Sequence, residues 1–384
     1  MPTQKYDAIV IGARVAGAAT AMLLARGGAR VLLVDREAEI QDTLSTHALM
    51  RPAVHLLAHW GVLEPIKAST PAVNATQFVY GDEVFDIPLQ PDLGYEGLFA
   101  PRRWLLDNVL GEAAQKAGVE LRTATICCDV LRGPDNRVTG VVLMDRDGNR
   151  YPIHTDLVVG ADGRNSSVAK LVDAKETIRS DIRSACAYAY VDGLPNSGYR
   201  WFYDVNSAAG LIPTTNDQHC LFVACPPDAF IGKFGSDVFT GLRTQLRRWD
   251  TEVAEQLDRR SFVEKPKRFL GAPGHMRQCA GPGWALVGDA GYFKDPLTAH
   301  GITDALRDAH ILTETAKTSG FGELFNYQQT RDHLSAKLFQ TTADIASFDW
   351  SLTQLQGLHM NLNAVMKAEF AYLQQSLTPS AQAA

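Results

Sequence analysis

The sequence predicts an α/β fold: a Rossmann-type nucleotide domain with an inserted mixed β-sheet and C-terminal helices. Three observations carry this prediction. A glycine-rich turn joins the first apolar run to a helix. Two later apolar runs, ending at Ala161 and Gly288, each meet an acidic residue beside glycine, and alternating strands fill the stretch between them.

Tyr6 to Ile11 (YDAIVI) is a continuous, partly β-branched apolar run, the pattern of a parallel strand covered on both faces. Gly12-Ala13-Arg14-Val15-Ala16-Gly17 follows, then a helix through Ala18, Ala19, Met22, Leu23 and Leu24 that Gly27-Gly28 ends. Arg30 to Asp35 (RVLLVD) forms the second strand. The result is a βαβ unit with a glycine-rich first turn, the context a dinucleotide fingerprint requires. Gly12 makes the tight turn and Gly17 lets the helix lie close to the sheet. Helix amides then face a pyrophosphate, with a dipole contribution of up to ~2 kcal/mol. Asp35 stands 23 residues after Gly12, where a carboxylate accepts ribose hydroxyls for roughly 1.5–3 kcal/mol. Arg14 replaces the middle glycine of G-x-G-x-x-G. Its side chain is expected to point away from the phosphates or to cover them with its guanidinium.

Asp156 to Ala161 (DLVVGA) leads into Asp162-Gly163-Arg164-Asn165-Ser166-Ser167-Val168. Trp284 to Gly288 (WALVG) leads into Asp289-Ala290-Gly291 and then Pro296-Leu297-Thr298-Ala299-His300-Gly301-Ile302. Either run alone reads as a strand meeting a turn. In this order and spacing the three motifs resemble the para-hydroxybenzoate-hydroxylase-like superfamily of FAD enzymes. That superfamily includes aromatic monooxygenases, flavin-dependent halogenases and geranylgeranyl reductases. The resemblance runs from Lys5 to about Lys317, in general pattern only between Asp181 and Arg268.

The resemblance implies FAD as cofactor and assigns residues to it. Gly12, Ala13, Arg14, Val15, Ala16 and Gly17 would lie at the pyrophosphate, with Asp35 and Arg36 at the adenosine ribose. Arg103, opening the Arg-x-x-Leu-Asp run to Asp107, resembles the family's flavin-contacting arginine. Cys127 falls near the end of the strand that touches adenine in relatives. Asp162 belongs to the motif used for both FAD and NAD(P)H, and Asp289 would hold the ribityl chain. Pro296 opens the loop in which His300, Gly301 and Ile302 present backbone amides to the flavin pyrimidine. A helix N-terminus aimed there favours the negative charge of reduced flavin. The Pro-Leu-Thr-Ala-His-Gly-Ile run departs from the prototype's Pro-x-x-Gly-x-Gly and looks closer to the reductase and halogenase branch.

The chain must leave and re-enter its nucleotide domain, giving an FAD-binding unit of 1–75, 100–180 and 270–320. A substrate unit of 76–99 and 181–269 and a helical segment of 321–384 complete it. Strands are expected at Ala185–Val191, Tyr199–Asp204, Ala208–Pro213 and Cys220–Ala224. Alternation puts Cys186, Tyr188 and Tyr190 on one face, and Tyr199, Trp201 and Tyr203 likewise share a face. These rings either pack under a helix at 236–259 or roof the flavin, with Tyr188, Tyr190, Trp201 and Pro213 as candidate substrate contacts. Phe325 to Gln374 has helical periodicity, broken near Gly357, and Leu377 to Ala384 is expected to fray.

Bulk properties exclude several classes. Apolar content of 46% and charged content of 21% describe an ordinary globular enzyme, expected as a monomer or homodimer. A net charge of -6 argues against an electrostatic grip on nucleic acid. Six cysteines without a C-x-x-C pair, and no His-rich spacing, point to a reducing cytoplasm and to no metal site. Neither a signal segment nor an apolar run long enough for a transmembrane helix is expected.

For catalysis the candidates are His300, beside the flavin loop, and His47, in the Ser45-Thr46-His47 loop after the second strand. A histidine can exchange a proton near neutral pH. The expected function is hydroxylation of an aromatic or electron-rich small molecule by O2 through a flavin C4a-hydroperoxide. NADPH or NADH serves as transient reductant, or a partner flavin reductase supplies electrons. A single G-x-G-x-x-G-like turn argues against the disulfide-reductase class. The alternatives are a reductase of isoprenoid double bonds, a halogenase and a non-enzymatic flavin carrier. Against the halogenase, the Trp-x-Trp-x-Ile-Pro motif is missing: Trp201 to Pro213 contains only Gly210-Leu211-Ile212-Pro213.

Overall fold

Apolar runs without polar alternation must be covered on both faces, and the first sheet obeys that rule. The computed structural model describes residues 5–43, 45–91 and 95–377; the expectations for Met1–Gln4 and for the end of the chain after Leu377 lie outside them. Parallel strands run in the order Trp284–Leu286, Arg150–Gly160, Tyr6–Ile11, Val31–Val34, Glu120–Arg122. Ala280–Gly281 adds an antiparallel edge, and the hairpin Ile126–Arg132/Val138–Met144 joins through Arg150–Gly160. Helices Val15–Arg26, Arg103–Lys116 and Gly301–Ser319 pack together beside this sheet. The glycine-bearing turns therefore gather at the carboxyl ends of the parallel strands, where ligands bind in open α/β sheets.

A second sheet has the order Lys267–Phe269, Ala185–Val191, His219–Cys225, Ser207–Pro213, Tyr199–Asp204, Ala75–Tyr80, Glu83–Pro88. All its pairings are antiparallel except Tyr199–Asp204 with Ala75–Tyr80. Its two faces have different fates. Ala185, Ala187, Ala189, Phe202, Leu221 and Val223 pack under short helices together with Phe234, Leu242 and Leu246. Tyr188, Tyr190, Tyr199, Trp201, Tyr203 and Phe222 instead join the core of the nucleotide sheet. Of the two expectations for the aromatic rings, packing under the 236–259 helix is overturned, because small residues face the helices.

That helix is itself two. Val238–Leu246 and Thr251–Gln256 are separated at Asp250, whose carboxylate accepts the Val253 N–H at 2.9 Å and caps the second. The break expected near Gly357 also moves. Phe325–Ala346 and Leu352–Leu377 are continuous helices, and the chain turns between them at Phe348, φ +56°. Ser351 and Gln354 exchange hydrogen bonds as a capping box, which starts the last helix ahead of Gly357. Cys127 is the second residue of Ile126–Arg132, so it begins that strand instead of ending it. No described helix is long and apolar enough to cross a membrane.

Candidate flavin site

The first turn is forced to be glycine by its neighbours. Gly12 has φ +105°, and a Cβ on Gly17 would sit 1.7 Å from the Gly12 carbonyl oxygen. The turn is held by Asp35, whose carboxylate accepts the Ala13 N–H at 2.7 Å and the Glu37 N–H at 2.9 Å. Thr125 donates its N–H to the Asp35 carbonyl at 2.9 Å, so the segment leading to Cys127 lies alongside. Burial pushes the Cys127 thiol up to about 12, which leaves it inert as a nucleophile. Arg36 is exposed and pairs with Glu37.

The Arg14 side chain leaves the turn toward helix Arg103–Lys116. Its guanidinium reaches Asp107 at 3.3 Å and the Gln41 carbonyl at 3.2 Å. Asp107, fully enclosed, also accepts the Val15 N–H at 3.1 Å and two bonds at 3.1 and 3.2 Å from one Arg103 nitrogen. Burial raises the Asp107 carboxyl, and the Arg103 and Arg14 charges oppose that rise. One carboxylate thus ties the glycine turn to both arginines. Sequence reasoning passed over it, although Arg103 and Asp107 stand one helical turn apart, a spacing that places them on one face. Ala16 and Gly17 remain as first-turn donors without a side-chain cap.

Asp162 serves its own helix. It accepts from Ser166 Oγ at 2.5 Å, Ser167 N and Oγ at 2.6 Å, and Val168 N at 3.2 Å. Asp289 differs: no hydrogen bond reaches its carboxylate among the described residues, and burial raises it to about 6 against the charges of Lys294 and Arg103. Before it, Gly288 at φ +57° packs against Ala16, which brings the third motif onto the first. Asp295 caps Pro296–Thr298 through Leu297 N at 3.0 Å and grips Ser184 N and Oγ at 2.6 and 2.8 Å. The loop of Pro296 is thereby anchored to the start of the aromatic sheet.

Beyond it, His300 precedes helix Gly301–Ser319, with Gly301 exposed and Ile302 buried. The His300 side chain is enclosed, with Nε2 2.6 Å from Glu369 Oε2. Glu369 comes from the last helix and takes a second bond from Arg307 at 2.7 Å. Arg307 also binds Asp304 and Asp308 at 2.9 Å each, and Lys294 pairs with Asp304. His300, Asp304 and Glu369 have metal-ligand spacing, all within 4.8 Å. Lys294 and Arg307 already neutralise those carboxylates, so the donor set suits no added cation.

His47 lies where the aromatic sheet meets the nucleotide domain. It is fully buried, adopts φ +65°, and its Nε2 is 2.5 Å from the Tyr190 hydroxyl. That left-handed backbone costs a β-carbon residue about 1–3 kcal/mol, the kind of strain that collects at functional sites. Burial and the charges of Arg102 and Arg103 hold the imidazole well below its usual range, so it is neutral. Arg102 lies 3.4 Å over the Tyr190 ring and is bound by Asp42, Glu264 and Gln218. Tyr188 meets Tyr190 edge-on, and Trp201 meets Phe222. Pro213 ends its strand; Thr214 and Thr215, directly after it, bond the Ala100 carbonyl and the Arg102 N–H.

The uncapped first-turn donors at Ala16 and Gly17, and the partly exposed Asp289 carboxylate that takes no hydrogen bond among the described residues, form a donor and acceptor set that matches a dinucleotide.

Residues 5–340 match the family model described as an FAD binding domain. The chain belongs to this FAD-binding family. FAD is its cofactor, and it is a flavin-dependent oxidoreductase. The chain is 25% identical over 347 residues to digeranylgeranylglycerophospholipid reductase 1 of Methanococcoides burtonii, covering 88% of this chain and 78% of the relative. Among solved structures it resembles PqsL of Pseudomonas aeruginosa, a probable FAD-dependent monooxygenase (TM-score 0.76, 20% identity, 95% and 100% coverage). The flavin-dependent brominase Bmp2 gives TM-score 0.77 at 17% identity, covering 97% and 98%. At these identities the solved structures establish a shared fold.

Proposed function

We propose that the protein is an FAD-dependent monooxygenase acting on a small aromatic or otherwise electron-rich molecule that carries an ionisable OH or NH. The observation that supports this reading best is the buried His47–Tyr190 pair, at 2.5 Å, under the aromatic face of the second sheet. FAD supplies the redox chemistry: with NADPH or NADH and O2 it delivers one oxygen atom to the substrate while the other leaves as water.

The chain's own residues bind and manage the proton. The Tyr190 hydroxyl, raised by burial, stays protonated at neutral pH, and neutral His47 offers Nε2 to accept. The Tyr190 hydroxyl donates to neutral His47 Nε2, which leaves its oxygen to accept a hydrogen bond from a substrate OH or NH and orient it. Arg102, held over the ring, strengthens that acceptor. Tyr188 and Trp201 contribute flat surfaces that exclude water and stack on a substrate ring. Gly12 to Gly17, Asp35 and Asp289 hold the cofactor, and the loop from Pro296 to Ile302 faces its pyrimidine edge.

The test is aerobic turnover of the FAD-loaded protein with NADPH or NADH and a panel of phenols and anilines, read by mass spectrometry. A product heavier by one oxygen, lost in Tyr190→Phe and His47→Gln, supports the reading. Reductant consumption with no oxygenated product from any substrate overturns it. The second reading, reduction of isoprenoid double bonds, draws on the similarity to the Methanococcoides reductase. Anaerobic reduction of a geranylgeranyl lipid without oxygen incorporation would favour that alternative.

A further inference from the structure

The turn that carries Asp289 is fastened from outside. Strand Gly274–Arg277 lies between Tyr292–Phe293 and Glu176–Ser180 in a small antiparallel sheet. His275 and Arg277, two residues apart, share a face, while Met276 between them is buried with Tyr292 and Phe339. His275 Nε2 is 3.2 Å from the Asp289 carbonyl oxygen, and the Arg277 guanidinium donates to the Ala290 carbonyl at 2.8 Å. The next carbonyl, of Gly291, accepts the Arg331 guanidinium at 2.9 Å and the Arg277 N–H at 2.8 Å. Arg331, fully enclosed on helix Phe325–Ala346, also donates to the Arg277 carbonyl at 2.5 Å. Three successive carbonyls, of Asp289, Ala290 and Gly291, are thus each held by a side chain from the strand or the helix.

Buried carbonyls need donors, but backbone N–H groups usually supply them. Side-chain donors fix the turn to particular neighbours instead, and a guanidinium does so with a rigid planar fork. A carbonyl only accepts, so His275 carries its proton on Nε2. Burial holds that imidazole down at about 4, which keeps it neutral at neutral pH. Arg277 reaches further, to 3.4 Å from the Arg164 carbonyl in the loop after Asp162, and so ties the second glycine-bearing motif to the third. The Asp289 carboxylate takes no hydrogen bond of its own among the described residues. Its placement therefore follows from the backbone of the turn and not from polar partners.

We infer that His275, Arg277 and Arg331 are positioning residues: together they form a bracket that holds the Asp289 turn in the shape that presents its carboxylate to the cofactor. The inference rests on the reading that Asp289 holds the ribityl chain.

A double-mutant cycle on the full chain tests it, with FAD affinity read by flavin fluorescence on flavin-free protein. Arg277→Met keeps the bulk of the side chain and removes its donors. It is expected to bind FAD roughly tenfold more weakly, the scale of one charged hydrogen bond. Arg277→Lys, which keeps a charged donor, should recover most of that loss. The double variant Arg277→Met/Asp289→Asn should bind FAD within about twofold of Asp289→Asn alone, because residues acting through one contact do not add. A general loosening of the fold would instead multiply the two losses, and that result overturns the inference.

The single variants separate the two levels. If Asp289→Asn weakens FAD binding while Arg277→Met leaves it unchanged, the ribityl reading stands and the bracket fails. If Asp289→Asn binds FAD like wild type, the ribityl reading falls and the inference falls with it. Should Arg277→Met not fold, the same cycle is run with His275→Leu. His275→Gln then serves as the rescue, since its amide nitrogen can donate in place of Nε2, and the same criteria decide.

Discussion

Replacing Asp289 with asparagine should make the flavin-free protein more stable while weakening its hold on FAD. The carboxylate is partly buried, receives no hydrogen bond within the described protein, and is raised by burial from 3.8 to about 6. That displacement corresponds to about 3 kcal/mol, and the residue's partial exposure trims it to about 1–3 kcal/mol. The sign follows from proton binding. Between pH 3.8 and about 6 the native state keeps a proton that the unfolded chain has released, so wild-type stability falls as pH rises through this window. Above it the full cost applies, below it none. The asparagine amide carries no charge, so Asp289→Asn should match wild type near pH 3.5 and exceed it at pH 7. FAD binding should move the other way. A ribityl hydroxyl donating to the carboxylate is worth about 1.5–3 kcal/mol, so the dissociation constant should rise about tenfold to a hundredfold. Urea denaturation of the flavin-free protein across pH, with flavin fluorescence titration at pH 7, reads both effects. An Asp289→Asn variant that binds FAD like wild type, or gains nothing at pH 7, refutes the reasoning.

Two other perturbations follow from the packing. Gly17→Ala places a methyl 1.7 Å from a backbone oxygen that cannot swing aside, so the loss should exceed the usual 1–3 kcal/mol of overpacking. Chemical denaturation and bound flavin per chain measure it, and a fully loaded variant of wild-type stability would contradict the turn geometry. His359, partly buried against Tyr80 and Tyr203 with Nδ1 2.7 Å from the Tyr80 hydroxyl, is lowered by burial to about 4. From pH 6.5 down to about 4 the unfolded chain gains a proton that the native ring refuses. Stability should therefore drop by about 1–3 kcal/mol over that window. His359→Phe should remove this part of the acid sensitivity, and an unchanged slope of stability against pH would exclude it.

The nucleotide sheet was legible because its signals are local. Tyr6–Ile11, Asp156–Ala161 and Trp284–Gly288 are apolar runs that end in turns only glycine can make, and Gly12 and Gly288 do have positive φ. The two faces of the aromatic sheet were also legible as alternation, but not which face each neighbour would take. That depended on helices whose small-residue bed, Ala185, Ala187 and Ala189, carried the deciding hint. Asp107 was readable from its spacing to Arg103 and overlooked. Ser351 and Gln354 likewise held a capping signal stronger than the glycine chosen as the helix break. The contacts His47–Tyr190 and His300–Glu369 span 143 and 69 residues, and no local pattern encodes them. They exist because the sheet and the last helix, distant in sequence, pack against the nucleotide domain.

That last helix touches the molecule at two unlike places. Glu369 enters the loop before helix Gly301–Ser319, and His359, ten residues earlier, is wedged between Tyr80 and Tyr203 of the aromatic sheet. Ten residues of helix are a rigid rod of about 15 Å. A rod fastened at both ends works as a strut: the sheet cannot rock toward or away from the Pro296–Ile302 loop without breaking one fastening. In the proposed reading the substrate space between sheet and loop would have a set height, so a sequence change at either end of the strut should alter which substrate thickness it accepts, from more than a helix turn away.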